Sequence, residues 1–216
     1  MEVTLTLTEE PIRHLPLKRT FDLLFSLFAL LITFPLFMTI ALLIRFQSPG
    51  PIIYAHKRIG RGGKTFKCFK FRSMYVDADV RLEALLKEDQ ALKEEWEKSR
   101  KLKNDPRITS IGRFLRKTSL DELPQFLNVL KGDLSVVGPR PVVKEEIQQY
   151  FKEKAPKILS VRPGITGLWQ VSGRSNTSYA ERIALDEHYI ENHTIAYDLY
   201  LVLKTIPALV TRKGAY

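Results

Sequence analysis

A long, predominantly apolar run from Phe21 to Ile44 is the strongest pattern along the chain. As a helix, its 24 residues would span ~36 Å, against a bilayer hydrocarbon core of roughly 30 Å. Pro35, in the middle of the run, lacks an N–H donor and clashes with the preceding turn, which favours a kink or break. The run therefore predicts a membrane segment, either a re-entrant hairpin or an ordinary spanning helix that tolerates Pro35.

Charges on both sides of this run favour the re-entrant form. Lys18 and Arg19 precede it, and eight basic residues with no acidic residue follow it between Arg45 and Val76. Flanking Lys and Arg residues favour the cytoplasmic side, so both ends of the run are expected there. A cleaved signal peptide fits poorly, because the start of the chain is acidic and the run ends in RFQSPGP rather than in small residues.

The remaining pattern alternates short strands with amphipathic helices. IIYAHKRIG and GKTFKCFKFRSM predict two strands joined at Gly60–Gly63. Helices are predicted over 77–103, around GRFLRK, over SLDELPQFLNVLK with a stop at Gly132, over KEEIQQYFKEKA and at Tyr179–Asn192. The apolar stretch Ile195–Val210 is short for a span and is expected to lie in the membrane interface. Residues 1–17 are expected to form a peripheral tail.

Composition narrows the class of partner. The formal net charge is +10, and the acid-free basic stretch favours anionic lipid, a phosphorylated substrate or nucleic acid. The single cysteine, Cys68, excludes an internal disulfide and a Cys-based zinc cluster. His14, His56, His188 and His193 have no zincin-type spacing with a glutamate.

The acidic pair Asp121-Glu122 in TSLDELP is the first candidate site. Ser119 and Glu122 have the spacing of a capping box, a purely structural interpretation of the motif. That interpretation leaves Asp121 unexplained. A carboxylate at a helix start near basic residues suits a nucleophile or a divalent-metal ligand.

A second candidate is Arg140 in VVGPRP, because the prolines on either side fix its backbone and preorganise a phosphate-binding guanidinium. A rigid turn with a solvent-facing arginine is the alternative. GRGGKT at Gly60 to Thr65 fails as a P-loop, since Arg58 stands where the first glycine belongs. Trp169 in GLWQ would stack on a ligand or be buried in the core.

Longer segments occur in a specific order: SPGPIIYAHKRIG, KFRSM, DPRITSIGRFLRKTSLDELPQFLNVLKGDLSVVGPRP and VRPGITGLWQVSGR. Together with the Pro-interrupted apolar run, they resemble the bacterial sugar transferase family of monotopic phosphoglycosyl transferases from Lys18 to the C-terminus. The resemblance implies a mostly helical α+β fold with interfacial amphipathic helices. Its parts would be a re-entrant membrane hairpin over 18–47 and a small cytoplasmic, membrane-associated catalytic domain over 48–216.

The GLWQVSGR and RKGAY segments resemble the branch that initiates exopolysaccharide, capsule or O-antigen repeats with galactose or glucose phosphate. Some of its members carry a further N-terminal membrane domain, so the chain is expected to be a minimal form or a truncation. The implied reaction moves a sugar phosphate from a UDP-sugar to polyprenyl phosphate at the cytoplasmic face of the bacterial inner membrane, with release of UMP. The implied partners are these two substrates and phospholipid, without nucleic acid; a homodimer stays open.

The resemblance also assigns roles to single residues. Asp121 would be the nucleophile, Glu122 would support it, and both would contact Mg²⁺. The substrate-binding residues would be Lys70, Arg72, Arg116, Arg140, Arg162, Gln170 and Arg174. Two rival functions are a membrane-tethered basic binding module, which would not need the acidic pair, and a structural subunit of a polysaccharide export complex, which would release no UMP from any nucleotide sugar.

Overall fold

The computed structural model describes residues 15–99, 102–173 and 177–211. The helices are α1 Leu15–Gln47, α2 Ala78–Glu88, α3 Gln90–Ser99, α4 Ser110–Thr118, α5 Gln125–Lys131, α6 Lys144–Glu146, α7 Ala155–Ile158, α8 Leu168–Ser172, α9 Tyr179–Asn192 and α10 Ile195–Thr211. The strands are β1 Ile53–Ile59, β2 Thr65–Phe71, β3 Ser135–Val137 and β4 Gly164–Thr166. The predicted mostly helical α+β class is confirmed. Most of the predicted 1–17 tail lies outside the described residues.

Two small sheets carry the strands. β1 and β2 form the predicted antiparallel hairpin, in which Tyr54 pairs with Lys70 and Arg58 pairs with Phe66. Directly opposed residues project from the same face of a sheet, so Arg58 and Lys70 share one face of this hairpin. β3 and β4 form a parallel pair, which positions the loop that follows β3.

Helix α1 continues through Pro35 without interruption, so the expected break into two helices is not seen. A proline removes a single i to i−4 bond, and the Thr39 hydroxyl donates to the Pro35 carbonyl at 2.9 Å in the following turn. In the part of the chain that the structure describes, Pro16–Gln47 is the one helix long and apolar enough to cross a membrane. The re-entrant topology stays a prediction.

Both ends of α1 pack against the same domain. Near its start, Asp22 accepts hydrogen bonds from the Ser135 hydroxyl and the Val136 amide, each at 3.0 Å. Near its end, Ile40 and Ile44 are buried in a cluster with Phe71 and Leu115 from the domain. Between Ser26 and Ile40 no α1 residue is buried. The apolar middle of α1 is therefore the part left for lipid.

The structure tests three of the helix predictions. The predicted helix over 77–103 is two helices, because the Asp89 carboxylate caps α3 by accepting from the Ala91 and Leu92 amides at 2.8 and 3.1 Å. The helix predicted over KEEIQQYFKEKA is broken into α6, a π turn, a 3₁₀ turn and α7, and Lys152 has a positive φ of 42°. The bounds predicted for Tyr179–Asn192 are confirmed.

Candidate active site

The acidic pair lies in a 3₁₀ turn, Leu120–Glu122, between α4 and α5. Ser119 ends α4 in the left-handed region, with φ 57°, and its side chain makes no capping hydrogen bond. The capping-box interpretation is therefore wrong: Ser119 terminates one helix and does not start the next. The sharp turn buries Asp121, which is 7% exposed, while the Glu122 side chain is 36% exposed.

Lys70, at the end of β2, joins the two carboxylates. Its Nζ lies 2.6 Å from Glu122 Oε1 and 3.4 Å from Asp121 Oδ2. The strand fixes the position of the ammonium group, and the turn fixes both carboxylates. Of the predicted site residues, the structure thus brings together Lys70, Asp121 and Glu122.

Burial dominates the electrostatics of this group. It raises the pKa of Asp121, with a further increase from Glu122, although Lys70 and Arg116 act in the opposite direction. Burial tends to lower the pKa of Lys70, but Glu122 and Asp121 outweigh it, so the net direction is upward. Asp121 is therefore a poorly solvated carboxylate held beside an ammonium, which is suitable for nucleophilic attack on an electrophilic phosphorus.

Arg116 completes this end of the site from α4. Its Nε donates to the Ser73 hydroxyl at 2.9 Å. Burial lowers the pKa of this guanidinium, and the negative charges of Asp121 and Asp105 act in the opposite direction. α4 can approach Ser73 closely because residue 112 is glycine: a Cβ there would clash with the Ser73 backbone carbonyl. Gly112 thus determines where α4 carries Arg116.

Sequence reasoning missed Asn128, which is fully buried in α5. Its Oδ1 accepts from the Phe69 amide at 2.8 Å, and its Nδ2 donates to the Lys67 carbonyl at 2.7 Å. Asn128 therefore satisfies the β2 edge just before Lys70, as a paired strand would. The available signal is an asparagine within the apolar segment FLNVL, but nothing local in the sequence indicates its hydrogen-bond partners.

Arg140 is an exposed residue in the otherwise largely buried loop after β3, and its guanidinium carbon is 5.4 Å from the centre of the Trp169 ring. Trp169 is buried, and the Arg182 guanidinium carbon lies 4.7 Å from the same ring centre. The indole ring thus supports two guanidinium groups. Gln170 follows Trp169 in α8. Arg182 is not among the residues identified from the sequence, because the mixed charges of the Tyr179–Asn192 helix are typical of a surface element.

Two predicted substrate residues have structural contacts away from the acidic pair. Arg72 donates to the Ser48 carbonyl, and to the Pro49 carbonyl at 3.1 Å, which holds the turn after α1. Arg162 Nε donates to the Gly132 carbonyl at 2.8 Å, at the C-terminal end of α5. Substrate roles for both stay predictions. Arg174 lies outside the described residues.

Whether the site can bind the predicted Mg²⁺ depends on the oxygen donors that its side chains offer. Among the described residues, no group of three or more His, Cys, Asp and Glu side chains could hold a metal ion. Mg²⁺ is commonly bound through one or two carboxylates together with substrate phosphates and waters. Asp121 and Glu122 bring two carboxylates to one ammonium, so the donor set fits a metal site that is completed by a phosphorylated substrate.

Comparisons with known proteins place the chain in a family. A family model described as "Bacterial sugar transferase" matches residues 13–212. The exopolysaccharide production protein ExoY of Sinorhizobium fredii is 49% identical over 199 residues, which cover 92% of this chain and 88% of the relative.

Two further relatives are longer than this chain. The undecaprenyl-phosphate galactose phosphotransferase of Salmonella typhimurium is 49% identical over 200 residues, covering 93% of this chain and 42% of the relative. The UDP-glucose:undecaprenyl-phosphate glucose-1-phosphate transferase of Escherichia coli is 38% identical over 207 residues, which cover 93% of this chain and 41% of the relative. The expected enzyme class is confirmed, and this chain belongs to the bacterial sugar transferase family.

Proposed function

We propose that this enzyme transfers a sugar-1-phosphate, galactose or glucose phosphate, from a UDP-sugar to polyprenyl (undecaprenyl) phosphate and releases UMP. The names of the Salmonella and Escherichia coli relatives support this reaction, and that of the Sinorhizobium relative supports a role in exopolysaccharide production. The product would start an exopolysaccharide, capsule or O-antigen repeat. The observation that carries the proposal is the buried Asp121 carboxylate beside Glu122 and Lys70.

In the proposed first half-reaction, an Asp121 carboxylate oxygen attacks the sugar-linked β-phosphorus of the UDP-sugar. The new phosphorus–oxygen bond forms as the bond to the UMP oxygen breaks, and UMP leaves with that electron pair. Lys70 would keep Asp121 oriented and balance its charge, and Arg116 and Arg140 would stabilise phosphate oxygens. A bound Mg²⁺ at Asp121 and Glu122 would supply charge neutralisation.

In the second half-reaction, an oxygen of polyprenyl phosphate attacks the phosphorus of the phosphosugar-aspartate. The acyl-phosphate bond breaks and restores the Asp121 carboxylate. Covalent catalysis of this kind splits one substitution into two easier ones and predicts ping-pong kinetics. A basic binding module or an export subunit would have no use for a buried Asp121 held beside Glu122 by Lys70, and neither function is favoured by the relatives.

The membrane arrangement is part of the proposal. Both ends of α1 pack on the domain that carries Asp121, while its middle is exposed and apolar. We place both ends at the cytoplasmic face of the bacterial inner membrane, where the lipid phosphate also lies. Association into a homodimer is compatible with this arrangement and is measurable as the mass of the detergent-solubilised protein.

Cysteine labelling tests the topology. Glu10→Cys and Lys57→Cys, each made in a Cys68→Ala background, should both be protected from an impermeant external reagent in intact cells and labelled after lysis. Labelling of position 10 alone in intact cells would establish a full crossing. Pro35→Leu restores the missing hydrogen-bond donor and should increase labelling of position 10.

The reaction is tested with a panel of UDP-sugars and undecaprenyl phosphate. The purified protein should release UMP and form a lipid-linked sugar diphosphate with UDP-galactose or UDP-glucose. Asp121→Asn, which keeps the shape of the side chain, is the matched inactive control. Absence of UMP release with every sugar, from a protein that is folded and membrane-bound, would exclude the proposed reaction.

A further inference from the structure

Three arginines from separate parts of the chain form a second charged group beside the acidic pair. Arg58 comes from β1, Arg140 from the loop after β3, and Arg182 from α9. Burial lowers the pKa of Arg58 and of Arg182, and Arg140 is the next largest cause for both. Arg58 and Arg182 lie 3.7 and 3.5 Å from the Glu146 carboxylate, and the Arg140 and Arg182 guanidinium carbons lie 5.4 and 4.7 Å from the centre of the Trp169 ring. These shared contacts place the three guanidinium groups in one neighbourhood, which we call the arginine cluster.

Glu146 is the acidic centre of the arginine cluster. Its carboxylate lies 3.7 Å from Arg58 Nη1 and 3.5 Å from Arg182 Nη1. It also accepts from the Tyr179 hydroxyl and the Val143 amide, each at 3.0 Å. Burial opposes ionisation of this carboxyl, but the Val143 amide and Arg182 bring the net pKa below its usual value. Glu146 is thus a fixed anion that orients two arginines.

The counter-charge is incomplete. Asp186, one helical turn after Arg182, is the other nearby acid, and burial raises its pKa to about 7. Burial therefore disfavours the charged form of this carboxyl, which weakens it as a counter-charge for the arginines. Arg58 and Arg182 share the Glu146 carboxylate, and Arg140 adds a third positive charge from a more exposed position, so the cluster keeps net positive charge around the buried Arg182. Such a charge is costly unless an anion is bound there.

Arg182 shows where an acceptor is missing. It is 4% exposed, and its Nη1 faces Glu146. Within the described part of the chain, its Nε and Nη2 have no hydrogen-bond acceptor. Nε and Nη2 are the two donors of an arginine edge that matches a phosphate or carboxylate in bidentate geometry. The aromatic rings of Trp169 and Phe151 hold the guanidinium in place.

The arginine cluster and the acidic pair are connected by one face of the β1–β2 hairpin. Arg58 lies on the same face of the β1–β2 hairpin as Lys70, four residue pairs away, or roughly 13 Å along the strands. The Cys68 side chain lies between them and is affected electrostatically by Lys70 and Glu122 on one side and by Arg58 and Arg140 on the other. The two phosphates of a diphosphate share one oxygen, so the long Lys70 and Arg58 side chains, and not the spacing of their strand positions, would have to converge on them. In that arrangement the substrate would react at Asp121 and its second phosphate would contact the arginines.

We propose that Arg58, Arg140 and Arg182, oriented by Glu146 and Trp169, bind the phosphate of the departing nucleoside monophosphate. The assignment rests on the proposed sugar-phosphate transfer, in which this phosphate is joined through one oxygen to the phosphorus that Asp121 attacks. It adds Arg58 and Arg182 as binding residues and Glu146 as a positioning residue. Their concentration of positive charge stabilises the negative charge that develops on the leaving phosphate.

Binding of UMP and of uridine to the full-length protein in lipid nanodiscs separates the possibilities. Arg58→Gln and Arg182→Gln should each weaken UMP binding at least tenfold, whereas Arg61→Gln, at the exposed tip of the same hairpin, should leave it unchanged. Uridine, which lacks the phosphate, should bind all four proteins with the same affinity. Because Arg182 is buried, thermal unfolding is measured for each variant, and the partly exposed Arg58 provides the decisive comparison if Arg182→Gln is unstable.

Equal UMP affinity of wild type and Arg58→Gln would overturn the assignment. An equal loss of uridine binding would also overturn it, since the arginines would then contact the nucleoside. If UMP binding depends on Arg58 but no UDP-sugar is turned over, the proposed reaction fails and the phosphate site stands. If a UDP-sugar is turned over but UMP affinity is the same with and without Arg58, the proposed reaction is supported and the proposed phosphate site is excluded.

Discussion

The two ends of the β1–β2 hairpin carry opposite charge imbalances. At the Lys70 end, two carboxylates share one ammonium and the nucleophile candidate Asp121 is buried. At the Arg58 end, Arg58 and Arg182 share the Glu146 carboxylate, Arg140 lies over the same Trp169 ring as Arg182, and burial raises the pKa of Asp186 to about 7. One scaffold thus separates the group that would react from the groups that would hold the leaving charge. Variants at the first end should change the rate of chemistry, and variants at the second should change substrate and product affinity.

The largest effect is expected at the nucleophile. Asp121→Asn removes the attacking oxyanion while keeping the shape of the side chain, so turnover should fall by at least ~10⁴-fold, as when other catalytic nucleophiles are removed. Thermal unfolding should show a folded protein. Steady-state UMP release measures the loss, and a loss below tenfold in a folded variant would make Asp121 a supporting residue.

Lys70 should come next. Lys70→Met leaves the Asp121 and Glu122 carboxylates side by side without their ammonium, so kcat should fall on the order of 10²-fold. Lys70→Arg keeps the positive charge and is the matched control, expected to retain much more activity. The measurement is kcat at saturating UDP-sugar. A change confined to KM would move Lys70 from the reacting end to the binding end.

Arg140, the exposed member of the arginine cluster, should have a smaller effect than Asp121 and Lys70. A guanidinium offers two parallel hydrogen bonds to phosphate and an ammonium offers a point charge, so Arg140→Lys should lower kcat/KM about tenfold or more. Initial rates at low UDP-sugar concentration measure this loss. Wild-type kcat/KM in the lysine variant would return Arg140 to the rigid-turn interpretation.

Cys68, buried between the ends, should be chemically silent. Burial raises the pKa of its thiol to about 11, so at pH 7.5 it is protonated and is a poor nucleophile. N-Ethylmaleimide should modify Cys68 much more slowly in the folded protein than in urea, as followed by intact mass. Rapid modification of the folded protein would mean that the hairpin face opens.

Much of the fold could be predicted, because it depends on short-range signals. Alternation with a glycine turn predicted the β1–β2 hairpin, and Gly132, with φ 92°, ends α5 where a glycine stop was expected. The capping box failed because the same S-x-x-E spacing fits a helix end followed by a 3₁₀ turn. Spacing alone does not distinguish the end of one helix from the start of the next.

The site was only partly predictable, because its remaining contacts join distant parts of the chain. Lys70 contacts Asp121 across 51 positions, and Asn128 contacts the Lys67 carbonyl across 61. No local pattern encodes such pairs. Arg162 is of a residue type that commonly binds phosphate, yet its Nε donates a hydrogen bond to a backbone carbonyl. Arg182 shows the opposite case, since only its burial and unmatched donors draw attention to it.

The most direct test of a covalent mechanism is the intact mass of the protein after incubation with UDP-galactose or UDP-glucose in the absence of lipid acceptor. The account predicts a burst of UMP and a gain of one hexose phosphate in the wild type, with neither in Asp121→Asn. An adduct in Asp121→Asn would place the nucleophile elsewhere, with Glu122 the first candidate. A wild type without an adduct, which released UMP only when both substrates were bound, would contradict the covalent mechanism and favour direct attack by the lipid phosphate.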